Sequence, residues 1–248
     1  MKNKRNIFIV FFIISVVCNI LFAGYIAIDY YRNKRNKDIF KLNAYAWMNN
    51  ELKQDSLPNQ KRVVFIGNSI TENWVHLRYK FFKENNYICR GIGGQTSPLL
   101  LLRFRQDVID LHPKVVVINA GINDIAENTG EYDIDFTLGN IKSMAELARI
   151  NKIEVVLTSI LPCAGNGWKG HITDVPAKIK ELNDKIKEYA LDNDFYYLDY
   201  YSHMEASDGS FIKEYTFDGL HPNEEGYMIM EPFIKDVIDK KLSESDIN

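Results

Sequence analysis

The chain has 248 residues, 46% of them hydrophobic and 25% charged, with a formal net charge of -3. That length and balance suit one sizeable folded domain with a tail and exclude a disordered or fibrous chain. The slight acidic excess leaves no basic surplus to neutralise phosphates, so no nucleic-acid partner is expected.

Ile7 to Ile28 carries no charge and follows Lys2, Lys4 and Arg5. A helix of that length, at about 1.5 Å per residue, crosses a bilayer core of about 30 Å. Residues 1–28 therefore read as an uncleaved membrane anchor. A cleaved signal peptide is the rival: Ala23 and Ala27 offer small residues, although the run is longer than a usual signal core. Arg32, Lys34, Arg35 and Lys37 compete with the N-terminal charges in setting orientation. The reading leans toward export of the rest of the chain, periplasmic or extracellular. Cys18 follows Val17, where a lipoprotein signal wants a small residue, so lipid attachment is not expected. Cys18, Cys89 and Cys163 form no CxxC pair, and neither a metal site nor a disulfide framework follows from them.

Residues 29–60 are polar, with a short apolar pattern at Ile39, Leu42, Tyr45 and Trp47, and end in "DSLPNQ". They read as a juxtamembrane linker, partly helical, closing at a turn, with the folded domain spanning 61–248. From there apolar, β-branched runs at 62–66, 114–120 and 153–160, and weaker ones at 87–92 and 195–200, alternate with helical spacing. The helices are predicted over 72–85, 98–111, 134–150, 175–193 and 223–240. Continuously apolar strands separated by helices imply a parallel sheet of about five strands buried on both faces, a three-layer α/β domain. Ligands of such sheets bind beyond the carboxyl ends of the strands.

The loops at those ends carry the chemistry. The first strand runs into Gly67, Asn68 and Ser69. Ser69 with Glu72 fits the S-x-x-E capping box and could serve only as a helix cap; alternatively Gly67 permits a sharp turn that exposes the hydroxyl as a nucleophile. Such a hydroxyl needs a base oriented by a third group. Of the five histidines, His76, His112 and His203 read as surface residues, and His171 as a possible pocket lining near Asp174. His221 follows Asp218 by three residues. A turn through Gly219 would set the carboxylate against one ring nitrogen and leave the other facing Ser69, whereas an extended strand would separate them. "DGLHPNEEG" could equally be only the turn before the last helix. Gly94, in a glycine-rich turn, can present a backbone N–H, and Asn123 a side-chain amide, to a developing oxyanion; a tight turn and an Asx turn or cap are the plainer readings.

In the order "GNSIT", "GIGGQTS", "GIND" and "DGLHP", over roughly residues 62–238, the sequence resembles the SGNH hydrolases, or GDSL-type esterases and lipases. It looks most like the branch of platelet-activating-factor acetylhydrolases and bacterial acyl or acetyl esterases. The resemblance implies a three-layer αβα flavodoxin-like fold, with Ser69 as nucleophile and His221 as base oriented by Asp218. It assigns the oxyanion to the Ser69 N–H, Gly94 and Asn123, and requires no metal or organic cofactor. The family usually has aspartate where this chain has Asn68. The expected activity is hydrolysis of short acyl esters, acetyl foremost, from a small molecule, carbohydrate or lipid. Trp168, in the loop "CAGNGWKGH", could stack on a sugar. A lysophospholipase or thioesterase, or a non-catalytic envelope binding module on the same scaffold, are the alternatives.

Overall fold

A computed structural model describes residues 2–37, 40–54, 62–165 and 167–245. Ile39, the turn 55–60 expected to close the linker, and the expected domain start at Lys61 lie outside the described residues. The chain divides into two compact units, 1–41 and 42–248.

The first unit is a helix, α1 (Lys2–Lys37). Within it Ile9–Tyr31, 23 residues of mean hydropathy 2.5, is long and apolar enough to cross a membrane, and its side chains are exposed. A signal sequence has the same character.

The second unit opens with α2 (Ala46–Gln54), so the stretch read as a partly helical linker does hold a helix, but one that belongs to the folded body from Leu42 onward rather than to a linker ahead of it. The sheet follows: β1 (Val63–Gly67), β2 (Tyr87–Gly91), β3 (Val115–Ile118), β4 (Glu154–Thr158) and β5 (Tyr196–Leu198). Its order is β2-β1-β3-β4-β5 and every pairing is parallel, with Val63 opposite both Tyr87 and Val115. Val63–Ile66 and Val115–Ile118 are buried throughout, as strands covered on both faces must be. α5 (Ser97–Asp107), α7 (Ile134–Ile150) and α8 (Val175–Asp192) pack in succession. α3 (Ser69–Leu77) and α10 (Glu224–Ser245) meet where Trp74 stacks on Tyr227, centroids 5.3 Å apart. The predicted five-stranded parallel α/β architecture is present.

Boundaries differ where side chains override spacing. The single helix expected over 72–85 starts earlier, at Ser69, and breaks at Arg78 before α4 (Tyr79–Glu84). There the Arg78 guanidinium turns to Glu231 and Glu224 on α10, with its Nε 2.8 Å from Glu231 Oε1. Two short helices, α6 (Ile122–Ile125) and α9 (Tyr201–Met204), were not foreseen. The chain runs from β1 to β2 on one side and then to β3 on the other. The crevice beyond the carboxyl ends of β1 and β3 is therefore a topological switch point, the place where such sheets bind ligands.

Candidate active site

Gly67 ends β1 at a crowded point. A Cβ there would lie 2.1 Å from Thr71 Oγ1 and 3.0 Å from the Asn119 carbonyl, so only glycine lets the strand turn so closely into α3. Asn68 is the N-cap of that helix: its Oδ1 accepts the Ile70 N–H at 3.0 Å. Ser69 is the first helical residue and half-buried. Its hydroxyl does not cap. It lies 2.9 Å from His221 Nε2 instead.

His221 is held from behind. Its Nδ1 is 2.7 Å from Asp218 Oδ2, while Asp218 Oδ1 accepts the backbone N–H groups of Leu220 at 3.0 Å and His221 at 2.8 Å. Burial pushes the Asp218 carboxyl upward, but the hydrogen bonds from His221 and Leu220 outweigh it, and the group sits below the ordinary carboxylate range. A carboxylate accepting at Nδ1 fixes the proton there and leaves the Nε2 lone pair to accept from the Ser69 hydroxyl. Gly219 makes the i,i+3 approach possible with φ +82°, in the left-handed region. Thr216 clamps the same turn: its Oγ1 accepts the Gly219 N–H at 3.0 Å and donates to the His221 carbonyl at 2.7 Å.

The glycine turn after β2 lies against the serine. A Cβ on Gly93 would be 3.7 Å from Ser69 Cβ, and the Gly93 N–H donates to Glu72 Oε2 at 2.8 Å. Gly94 is exposed, its carbonyl accepting from Asn128 Nδ2 at 3.2 Å. Asn123, on α6, is buried and donates through Nδ2 to the Gln95 carbonyl at 3.0 Å, which orients the amide beside that turn. Asp124 secures the start of α5, both oxygens accepting the Ser97 N–H, at 3.0 and 2.9 Å. Burial drives its carboxyl upward against the Ser97 hydrogen bonds.

The other histidines stand apart from this cluster. His76, His112 and His203 are exposed, and His171 Nε2 meets Glu127 Oε2 at 2.6 Å. Trp168 is partly buried and lines a cavity of about 490 Å³ with Cys163, Ser210, Lys213, Phe217 and Asp218. Sequence reasoning missed Thr216, Gln95 and Asn128. Of the two readings of Ser69, the S-x-x-E capping box is not formed: Glu72 accepts from a different donor, the Gly93 N–H.

Residues 65–229 match the GDSL-like lipase/acylhydrolase family. The chain belongs to this family. A protein from Bacteroides fragilis NCTC 9343, proposed to be an acylhydrolase, is 54% identical. That structure superposes with a TM-score of 0.79 over 83% of this chain and 99% of its own. Among curated proteins, an N-acylneuraminate cytidylyltransferase of Escherichia coli O18:K1:H7 is 24% identical over 84% of this chain and 47% of its own length. A multidomain esterase of Ruminococcus flavefaciens is 26% identical over 73% of this chain and 22% of its own. The chain thus spans less than half the length of these two relatives. For a GDSL-like acylhydrolase the departure at Asn68 has a local account: the amide oxygen supplies the same cap that an aspartate would.

Proposed function

We propose that this GDSL-like protein is a serine esterase that hydrolyses short acyl esters, acetyl foremost. Ser69 is the nucleophile, His221 the general base and Asp218 the group that orients it. One observation carries the reading: Ser69 Oγ, His221 Nε2, His221 Nδ1 and Asp218 Oδ2 form an unbroken chain of contacts of 2.9 and 2.7 Å. As Ser69 Oγ attacks the ester carbonyl, its proton passes to Nε2 and the carbonyl oxygen gains negative charge. Asp218 stabilises the imidazolium without taking the proton. The Ser69 and Gly94 N–H groups and Asn123 Nδ2 receive the oxyanion, and one such donor is worth about 10²–10³ in rate. The Nε2 proton then goes to the leaving alkoxide, giving alcohol and acyl-enzyme. Water, deprotonated by the same nitrogen, attacks the acyl carbon and releases the acid and Ser69.

The alcohol part is best read as a carbohydrate. The cavity beside Asp218 mixes Trp168 and Phe217 with Ser210 and Lys213, a lining that suits a ring with an apolar face and polar edges better than an alkyl chain. The apolar helix of the first unit is read as an anchor, with the second unit, from Leu42 onward, exported.

Ser69→Ala should abolish turnover of an aryl acetate and labelling by a fluorophosphonate. Retained turnover would remove Ser69 from the mechanism, and an inert parent protein would favour a binding module. A series of aryl esters from acetyl to octanoyl should show the fastest turnover at acetyl; a maximum at the long chains would turn the reading to a lysophospholipase.

A further inference from the structure

Beneath the glycine turn lies a polar cluster that the mechanism above does not use. Arg103 on α5 is 0% exposed, and its guanidinium makes four hydrogen bonds. Nε donates to Gln95 Oε1 at 2.6 Å and Nη1 to Asp107 Oδ2 at 2.8 Å. Nη2 donates to the carbonyls of Gly67 at 3.0 Å and Arg90 at 2.7 Å. Two of these acceptors border the site. Gly67 is the last residue of β1, one residue ahead of the Asn68 cap, and Gln95 follows Gly94 and holds Asn123 through its carbonyl. One planar cation therefore spans the nucleophile turn and the oxyanion turn. The fixed geometry of the fork transmits position between them in a way that a flexible ammonium would not.

A buried guanidinium is tolerable only where its partners are themselves fixed. Asp107 is fixed from α2. Asn49, 2% exposed, donates through Nδ2 to Asp107 Oδ1 at 2.6 Å and to the Gln106 carbonyl at 3.1 Å. Its Oδ1 accepts from Arg90 Nε at 2.9 Å. Tyr45 completes the cover, its hydroxyl donating to the Gly91 carbonyl and its ring 4.7 Å from the Arg90 guanidinium. Tyr45 and Asn49 both precede residue 65, where the family match begins.

We propose that Arg103 is a positioning residue for acyl transfer, joining the Ser69 turn to the Gly94–Gln95 turn, and that Asn49 on α2 sets its fork through Asp107. This rests on the assignment of Ser69, Gly94 and Asn123 to the chemistry. Helix α2, supplied from ahead of the sheet, is then part of the active-site scaffold. Loosening the relay displaces the oxyanion donors, so it lowers kcat and spares ground-state binding.

The test uses the full chain, an aryl acetate and titration of the active serine with a fluorophosphonate. Asn49→Ala should lower kcat about tenfold with KM within about twofold, and slow labelling in parallel, while every molecule still labels. Arg103→Lys, which keeps the charge but loses the fork, should lower kcat by about 100-fold. Unchanged kcat in Asn49→Ala overturns the proposal. So does a loss of activity that merely follows a smaller labelled fraction at an unchanged labelling rate, or a loss of cooperative unfolding, because either outcome makes the relay a matter of stability alone. Should Arg103→Lys not fold, Asn49→Ala decides. Turnover by Ser69→Ala would instead sink the catalytic assignment, whatever the Asn49 variant does.

Discussion

Glu72 Oε2 accepts the Gly93 N–H at 2.8 Å, fastening the helix that begins at Ser69 to the glycine turn that carries Gly94. The proposed nucleophile and one proposed oxyanion donor are thereby parts of a single hydrogen-bonded unit. Glu72→Ala removes the acceptor and should lower kcat on an aryl acetate about tenfold with little change in KM. Glu72→Gln keeps an oxygen in reach of Gly93 and should recover most of that loss. Equal kcat values for the two variants would show that the bond does not govern the turn.

Thr216 tests the opposite rim. Its hydroxyl both accepts from Gly219 and donates to the His221 carbonyl, so it closes the turn that brings Asp218 against the ring. Thr216→Val keeps the shape and removes these bonds, with that from the Asp218 N–H, so the turn is held less tightly. kcat should fall by roughly 10- to 100-fold. Thr216→Ser, with the hydroxyl restored, should return to near the parent rate. A Val variant as fast as the parent would mean that Gly219 and the bonds from the Leu220 and His221 N–H groups to Asp218 Oδ1 hold the geometry without Thr216.

The strands were legible because burial on both faces writes them as unbroken apolar runs, as in Val63–Ile66 and Val115–Ile118. Ser69, Asp218 and His221 were legible as candidates because a serine at the end of the first strand, and a carboxylate three residues ahead of a histidine in the turn before the last helix, are distinctive residue types at such positions. What joins them was not. Glu72 satisfies a local pattern and a distant turn with the same spelling, and only three-dimensional proximity to Gly93 separates the two. Asn49 and Tyr45 sit in a polar stretch whose short apolar pattern resembles a linker; their partners, Asp107 and Gly91, lie tens of residues away in sequence. The break at Arg78 is likewise set by Glu231 on the last helix, not by local propensity.

The anchor reading has its own test. If α1 is retained, peptides covering Ile7–Ile28 should stay joined to the catalytic unit and remain in carbonate-washed membranes, as a predominantly apolar spanning helix of 23 residues requires. Recovery of a soluble chain that begins just beyond Ala23 or Ala27 would make the segment a signal peptide.

Asp218 links the turn that carries His221 to pH. Its carboxyl titrates below the ordinary range because the His221 and Leu220 hydrogen bonds outweigh desolvation. A carboxyl whose folded value is depressed binds fewer protons folded than unfolded as acid is added. Its contribution to stability is therefore fully present above the ordinary value of 3.8 and is lost as pH falls through the lower folded value. Asp218→Asn lacks that contribution at every pH. The Tm difference between parent and variant should be level from neutrality to about pH 5 and shrink below about pH 4. It should also be small, because the carboxylate side chain is 52% exposed and solvent screens the pair. On the proposed roles, kcat should change far more than stability. The amide no longer enforces a proton on Nδ1, so the ring can present Nε2–H to Ser69 in place of a lone pair, and kcat at neutral pH should fall by roughly 10²–10⁴-fold. A thermal melt series across pH, run beside steady-state kinetics on both proteins, checks both halves. A Tm difference that grows in acid would reverse the sign assigned to Asp218, and an unchanged kcat would remove it from the relay to Ser69.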